Sequence, residues 1–223
     1  MSAPYLTMLL ADGRLPTGAH TQSAGVEPAF AAGMRLAQVP DYLTVRLRTV
    51  TAVEAAAAVV ARHRWRSESD GRTSAMAEVD AAWRVRTLSD VLRRASDSLG
   101  RSYLRTAGAV WPLDELRDHQ NGVWCRPVVL GAVAAEAGLA ADELARLVAY
   151  DDVQTVLAAA LKLEPFDPSQ AVRWAVCAEP QVERLVGTTA GCIATDQIPA
   201  YGAPLIEEWG QRHELADRRL FRA

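Results

Sequence analysis

Apolar residues recur along most of the chain at spacings of three and four, which is the period of an amphipathic helix. The clearest stripe follows Pro40 and consists of Leu43, Leu47, Val50, Val53 and Ala57. Alternating runs of β-branched and aromatic residues, which are typical of strands, are almost absent. The pattern therefore predicts an all-α protein.

Glycine, proline and capping residues mark the ends of the predicted helices. A short opening helix ends before the loop that starts at Leu15, and Ser23 is predicted to cap a short helix that ends near Gly33. One long helix is predicted over about 40–65, and Pro180 is a possible interruption of a later helix. The other predicted helices cover about 73–83, 88–109, 127–138, 142–163, 169–189 and the segment from 204 onward. We expect a single domain, residues 1–223, with about eight to ten helices.

The last twenty residues, 204–223, combine a helical stripe with an aromatic terminus. The predicted stripe consists of Ile206, Trp209, His213, Ala216 and Leu220. Phe221 adds an aromatic ring beside several arginines, whereas chain ends are usually frayed and polar. Aromatic and arginine side chains are enriched among the residues that dominate protein interfaces. The sequence therefore predicts a partner-binding helix and tail over 204–223.

Composition and charge exclude several classes of function. Of 223 residues, 50% are hydrophobic and 23% are charged, as in ordinary globular proteins. The net charge of -3 does not favour binding to nucleic acid. Lys162, the only lysine, does not follow a glycine, so the chain has no P-loop. No uncharged run reaches the ~18 residues of a membrane span. We expect a soluble, cytoplasmic protein that binds neither nucleic acid nor membrane.

Local signatures of catalysis or metal binding are also missing. The three cysteines are too widely spaced for a zinc site, and their odd number fits a reducing compartment. No two histidines are three or four residues apart, and neither a nucleophile elbow nor a dinucleotide-binding turn is present. Asp151 and Asp152 are adjacent, about 100 degrees apart on a helix, so we expect one to be solvated and the other in a polar contact. We therefore predict no catalytic residue, no metal ligand and no cofactor in this chain.

The segment from Leu15 to Glu27 has more glycine, proline and polar residues than a simple connection requires. It resembles the N-terminal motif of the UreF-type urease accessory proteins, Leu-Pro-Ile-Gly-Gly-Phe-x-His-Ser-x-Gly-Leu-Glu. Two of the departures change the chemistry of the side chain: His20 stands where the family often has an aromatic residue, and Gln22 stands where it often has histidine. The matching residues are Leu15, Pro16, Gly18, Ser23, Gly25 and Glu27.

Three further blocks resemble the same family in the same order. The segment 126–131 is similar to the helix start x-Pro-Val-Val-x-Gly, with Arg126 where histidine is frequent. The segment 161–170 is similar to Arg-Leu-x-Pro-Leu-Gly…Gln, with Lys162 for arginine and Asp167 for glycine. Ile198 and Pro199, followed by the tail from His213, are similar to the family's C-terminus, which ends in Arg-Leu-Phe-Arg-Ser.

The resemblance implies an accessory protein rather than an enzyme. Such a protein is a homodimer that bridges a UreD/UreH-type scaffold and the GTPase UreG, and couples GTP hydrolysis to nickel insertion into the urease apoprotein. Nickel is then handled by the complex and not by a dedicated site in this chain. The expected partner-binding residues are Leu15, Pro16, Gly18, Ser23, Gly25, Glu27, Lys162, Pro165, Gln170, His213, Arg218, Arg219, Leu220, Phe221 and Arg222.

Within this set we expect two surfaces. Leu220 and Phe221 are predicted to dock into the scaffold, with the neighbouring arginines at the rim. The loop of residues 15–27 and the turn of residues 162–170 are predicted to lie at the dimer interface or to face the GTPase. Two alternatives stay open: a helical enzyme that uses His20, Asp12 or Glu27 for acid-base chemistry, and an all-α ligand-binding regulator, for which no basic recognition helix is evident.

Overall fold

A computed structural model of the chain describes residues 2–119, 122–214 and 220–221. These residues contain no strand, and ten of their α-helices have six residues or more, so the all-α prediction is confirmed. The helices are α1 (Ala3–Leu10), α2 (Val26–Ala31), α3 (Val39–Arg48), α4 (Val50–Ser67), α5 (Arg72–Arg84), α6 (Asp90–Ala107), the single-turn α7 (Asp114–Arg117), α8 (Arg126–Ala137), α9 (Ala141–Leu163), α10 (Pro168–Thr189) and α11 (Pro204–Glu214).

The core is centred on α4, which packs against α5, α8 and α9. The run of alanine and valine from Ala55 to Ala61 is buried, and its small side chains let the neighbouring helices approach closely. The closest approach is at Gly131 of α8, where a Cβ atom would lie 2.5 Å from the carbonyl oxygen of Ala58 and 2.5 Å from the Cβ atom of Ala61. Glycine at this position is therefore required by the crossing of α4 and α8.

The prediction of one helix over about 40–65 is wrong, because the chain leaves the helical conformation at Thr49. This residue has φ -123° and ψ -94°, and it separates α3 from α4. The apolar stripe continues across the break, since Leu47 on α3 and Val53 on α4 are both buried. The break lets α3 pack against α9 and α10 while α4 packs along α8.

The short helix predicted to start at Ser23, α2, also begins later than predicted. Ser23 is not its N-cap: α2 starts at Val26, and Gly25 is the capping residue, with φ +80°. Ser23 instead lies within the preceding loop, where its carbonyl oxygen accepts a hydrogen bond from the backbone N–H of Val26 at 3.0 Å. The reason is the left-handed turn just before the helix, which keeps Ser23 out of the first helical turn.

The two longest helices, α9 and α10, pack on each other and are joined by the short connection 164–167. Asp167 caps α10: its carboxylate accepts hydrogen bonds from the backbone N–H and the hydroxyl of Ser169, at 2.9 and 2.6 Å. Helix α10 continues through Pro180 without interruption. Within the described ranges, no helix is both long and apolar enough to cross a membrane.

The predicted C-terminal helix is present as α11, which contacts α2 and α6. Ile206 is buried, and the ring of Trp209 stacks on Tyr42 with centroids 6.4 Å apart. The predicted stripe does not extend to Leu220, which lies outside the helix and is 63% exposed. Ala216 of the same stripe lies outside the described residues.

Candidate partner-binding surface

The loop between α1 and α2 is held in a defined shape. It contains a short 3-10 helix, Ala19–Thr21, and the hydroxyl of Thr21 donates a hydrogen bond to the carbonyl oxygen of Gly18 at 2.8 Å. Two successive residues, Ala24 and Gly25, have positive φ values of 50° and 80°. A Cβ atom at Gly25 would also lie 2.6 Å from the Tyr42 hydroxyl oxygen, so both backbone conformation and space require glycine there.

The left-handed turn places Glu27 in the first turn of α2, and the Glu27 carboxylate holds the C-terminal tail. It accepts a hydrogen bond from the backbone N–H of Leu220 at 2.6 Å and another from the backbone N–H of Phe221 at 2.9 Å. Hydrogen bonds to an ionised acceptor are about twice as strong as those between neutral groups. Segments that are about 190 residues apart in sequence are therefore joined at one carboxylate.

The side chain of Phe221 is packed against its own chain and is only 5% exposed. The Lys162 ammonium lies 5.3 Å from the centre of the Phe221 ring, within the range of a cation–π contact. Lys162 also donates a hydrogen bond to the carbonyl oxygen of His20 at 3.4 Å. We name the cluster of Glu27, Lys162, Leu220 and Phe221 the tail site.

A groove of about 690 Å³ adjoins the tail site. Its lining includes Met8 of α1, Tyr150 and Gln154 of α9, and the Lys162 and Phe221 side chains of the tail site. Met8 and Tyr150 are apolar and well exposed to solvent. The groove therefore extends the tail site into a concave surface with both apolar and polar walls, which is the usual character of binding surfaces.

Two buried arginine clusters lie beneath the loop and line a cavity of about 110 Å³. Arg46 binds Asp152 with N···O distances of 2.9 and 2.5 Å. Arg126 binds Glu54 at 3.0 Å and Asp151 at 2.6 Å. The expectation that one of the two adjacent aspartates is solvated is therefore wrong: each pairs with a buried guanidinium group, and the side chains of Asp152 and Asp151 are only 6% and 15% exposed.

The ionisation of these carboxylates follows from their surroundings. Burial alone would raise the pKa of Asp152, but the Arg46 charge and the hydrogen bonds from Arg46 and Thr51 outweigh it and lower the pKa. At Glu54 and Asp151 burial dominates over the attraction of Arg126 and raises each pKa. Asp152 is thus the carboxylate that is most firmly held in its ionised form.

Sequence reasoning did not single out Tyr42, Arg46 or Asp152 as site residues. The available signal was the position of Arg46 on the buried stripe of α3, where a charged side chain requires a buried partner. The identity of that partner could not be predicted, because Asp152 is 106 positions away along the chain.

The other predicted partner-binding residues fall at three places. Pro16 is exposed, while Leu15 and Gly18 beside it are half-buried and Ser23 is buried. Pro165 lies in the connection of α9 to α10 and Gln170 in the first turn of α10, and in the described part of the chain no hydrogen bond or ion pair joins their side chains to the tail site. The side chain of His213, together with Arg218, Arg219 and Arg222, lies outside the described residues.

The arrangement is suited to holding a chain segment rather than to acid-base catalysis. The carboxylate of Asp12 is bound by Arg14, and these hydrogen bonds lower its pKa to about 2, so it is a poor general base. The carboxylate of Glu27 is occupied by two backbone N–H groups. Within residues 2–119, 122–214 and 220–221, no group of three or more histidine, cysteine, aspartate or glutamate side chains could hold a metal ion.

Comparison with known proteins defines the class. The curated relatives include the urease accessory proteins UreF of Mycolicibacterium vanbaalenii and Mycobacterium marinum, each 33% identical over 226 residues, and that of Mycobacterium tuberculosis, 34% identical over 226 residues. Each alignment covers 99% of this chain and 99% of the relative. The UreF family model matches residues 35–176. The chain belongs to the UreF family of urease accessory proteins.

Proposed function

We propose that this chain bridges a UreD/UreH-type scaffold and the GTPase UreG, and that it couples GTP hydrolysis to nickel insertion into the urease apoprotein. Membership of the UreF family supports the accessory role, because the relatives are named urease accessory proteins. In this proposal the chain is a cytoplasmic homodimer without a catalytic site of its own. UreG hydrolyses GTP, and nickel passes through the complex without a dedicated cofactor site in this chain.

The observation that carries the proposal is the tail site. The N-terminal loop and the C-terminal tail, which both resemble family motifs, meet at the carboxylate of Glu27. Phe221 anchors the tail to its own chain, while Leu220 next to it stays 63% exposed. An exposed leucine on an anchored backbone can enter a partner's pocket with little loss of conformational entropy on binding.

We assign the scaffold to the face that presents Leu220, and we expect Arg218, Arg219 and Arg222, its neighbours in sequence, to take part in binding. We assign the second subunit or the GTPase to the surface that runs from the loop of residues 15–27 along Lys162 to Pro165 and Gln170. Lys162 supports this second assignment because its ammonium group is exposed at the end of α9 and forms no ion pair with any described carboxylate.

Deletion of residues 213–223 tests the scaffold face. The truncated chain should lose binding to the UreD/UreH-type protein while it keeps the helical circular dichroism of the remainder, because the deletion takes only the last two residues of α11 from the described helices. Unchanged affinity after the deletion would contradict the assignment.

A point variant makes the same test without shortening the chain. Leu220→Ser should weaken scaffold binding about tenfold, which is the order expected when a buried interfacial leucine is lost. Leu205→Ser is the matched control, because Leu205 on α11 is 60% exposed and lies outside the tail site. Equal effects of the two substitutions would show that Leu220 has no special role.

A further inference from the structure

Ala24 has an unusual backbone conformation for its residue type. Among the described residues it is the sole non-glycine residue with positive φ, at 50°. The left-handed region crowds the Cβ atom of an L-residue, so a residue stays there only when its surroundings hold it. Something in this fold therefore stabilises Ala24 in a conformation that it would rarely adopt alone.

Two side chains of α3 hold the carbonyl oxygen of Ala24. The Tyr42 hydroxyl donates to it at 2.7 Å, and the Nη1 atom of Arg46 donates to it at 2.8 Å. Burial raises the pKa of Tyr42 to about 12, so the hydroxyl keeps its proton and its donor role at neutral pH. The peptide after Ala24 is thus fixed by two donors from one helix.

Arg46 is itself fixed in place. Its Nε and Nη2 atoms bind both oxygens of the Asp152 carboxylate, at 2.9 and 2.5 Å, which leaves Nη1 directed at the Ala24 carbonyl. The Thr51 hydroxyl donates to the same carboxylate at 2.8 Å. A bidentate arginine–carboxylate pair has a defined geometry. Because Arg46 lies on α3 and Asp152 on α9, the position of α9 fixes the guanidinium group that binds the loop.

The held peptide lies three residues before Glu27. Gly25 follows Ala24, caps α2, and leads directly into the first helical turn that carries the Glu27 carboxylate. A change of backbone conformation at Ala24 would rotate the start of α2 and move this carboxylate away from the backbone N–H groups of Leu220 and Phe221. The Arg46–Asp152 ion pair is therefore linked to the C-terminal tail through residues 24–27.

We propose that Tyr42 and Arg46 are positioning residues of the tail site: they hold Ala24 in the left-handed conformation and thereby aim Glu27 at the C-terminal tail. The role of this device in partner binding rests on the proposed function above. The docking of the tail on its own chain is independent of the proposed function, and it can be measured without any partner.

The test is amide hydrogen exchange of Leu220 and Phe221 in the full-length chain, in wild type and in Tyr42→Phe. Phenylalanine keeps the ring that stacks on Trp209 and removes the hydroxyl that binds Ala24. The loss of one hydrogen bond should raise exchange at the two tail amides about fivefold. Amides in the centre of α4 report global stability in the same experiment, which separates loss of the tail from unfolding.

A control and a rescue make the result specific. Thr189→Val removes another buried hydroxyl, whose hydrogen bond goes to Leu185 within α10, and should leave tail exchange unchanged. Ala24→Gly in the Tyr42→Phe background should return exchange towards the wild-type rate, because glycine adopts positive φ without the hydroxyl's help. Arg46→Met is a poorer test, since it leaves Asp152 buried without a counter-ion.

Wild-type tail exchange in Tyr42→Phe, an equal rise in Thr189→Val, or no recovery with Ala24→Gly would each overturn the proposal. None of these outcomes bears on whether the chain bridges a scaffold and a GTPase. Conversely, a chain that binds neither partner but shows the expected exchange pattern would refute the proposed function and leave the positioning role in place.

Discussion

The Glu27 carboxylate accepts hydrogen bonds from the backbone N–H groups of Leu220 and Phe221 at the tail site, so Glu27→Gln is an informative single substitution. Glutamine has nearly the same shape but carries no charge, and its one carbonyl oxygen can replace only part of the carboxylate's acceptor capacity. The two hydrogen bonds, at 2.6 and 2.9 Å, are of the charge-assisted kind.

The expected magnitude follows from these contacts. A hydrogen bond to a charged group contributes about 1.5 to 3 kcal/mol, and solvent screening at the half-buried Glu27 reduces this value. With part of the bonding kept by glutamine, we expect docking of the tail to weaken by about 1 to 2 kcal/mol, which is about a five- to thirtyfold change in the population of the undocked tail.

Amide hydrogen exchange at Leu220 and Phe221 measures this population directly. Glu164→Gln is the matched control, because Glu164 is exposed at the end of α9 and its side chain makes no hydrogen bond to any described residue. Exchange that rises in Glu27→Gln and not in Glu164→Gln is the expected result. Equal exchange in wild type and Glu27→Gln would show that the carboxylate does not hold the tail, and the reasoning would fail.

Three further predictions concern the core, the buried ion pair and the second surface. Gly131→Ala should lower the free energy of unfolding by about 1 to 3 kcal/mol, because the new Cβ atom meets backbone atoms of α4, whereas Gly187→Ala, in open space on α10, should be neutral or slightly stabilising in the same denaturation assay. Asp152→Asn should destabilise the fold by about 3 to 5 kcal/mol, because Arg46 loses its buried counter-ion. Since the folded-state pKa of Asp152 is lowered, its stabilisation is complete above the unfolded pKa of about 3.9 and is lost as pH falls through the folded value, so the cost of Asp152→Asn should shrink in acid denaturation experiments. Lys162→Glu should abolish dimerisation or UreG binding, and a light-scattering profile identical to wild type with and without UreG would contradict the placement of Lys162.

Much of the fold could be predicted from the sequence because the helices are amphipathic and end at recognisable residues. The apolar period and the scarcity of strand-like runs indicated the all-α class, and proline and glycine marked most helix ends. The break at Thr49 could not be predicted, because the apolar stripe passes through it without a change of period. Only tertiary packing shows that α3 and α4 face different neighbours.

The sequence motifs single out the residues of the tail site, but they do not show how these residues come together. The family motifs pointed to Glu27, Lys162, Leu220 and Phe221, and the structure brings these four together. Phe221 was expected to enter a partner. In the structure it is buried against its own chain, and its backbone N–H donates a hydrogen bond to the Glu27 carboxylate. The support beneath the loop depends on an ion pair between distant segments, which no local pattern reveals.

The central claim is that this chain bridges two proteins. Size-exclusion chromatography with light scattering, on the chain alone and mixed with the UreD/UreH-type protein and UreG from the same source, tests it most directly. We expect a homodimer for the chain alone and, in the mixture, a stable complex that contains two copies of each chain. A monomer that binds neither partner would contradict the bridging role, while the family and the fold would stand.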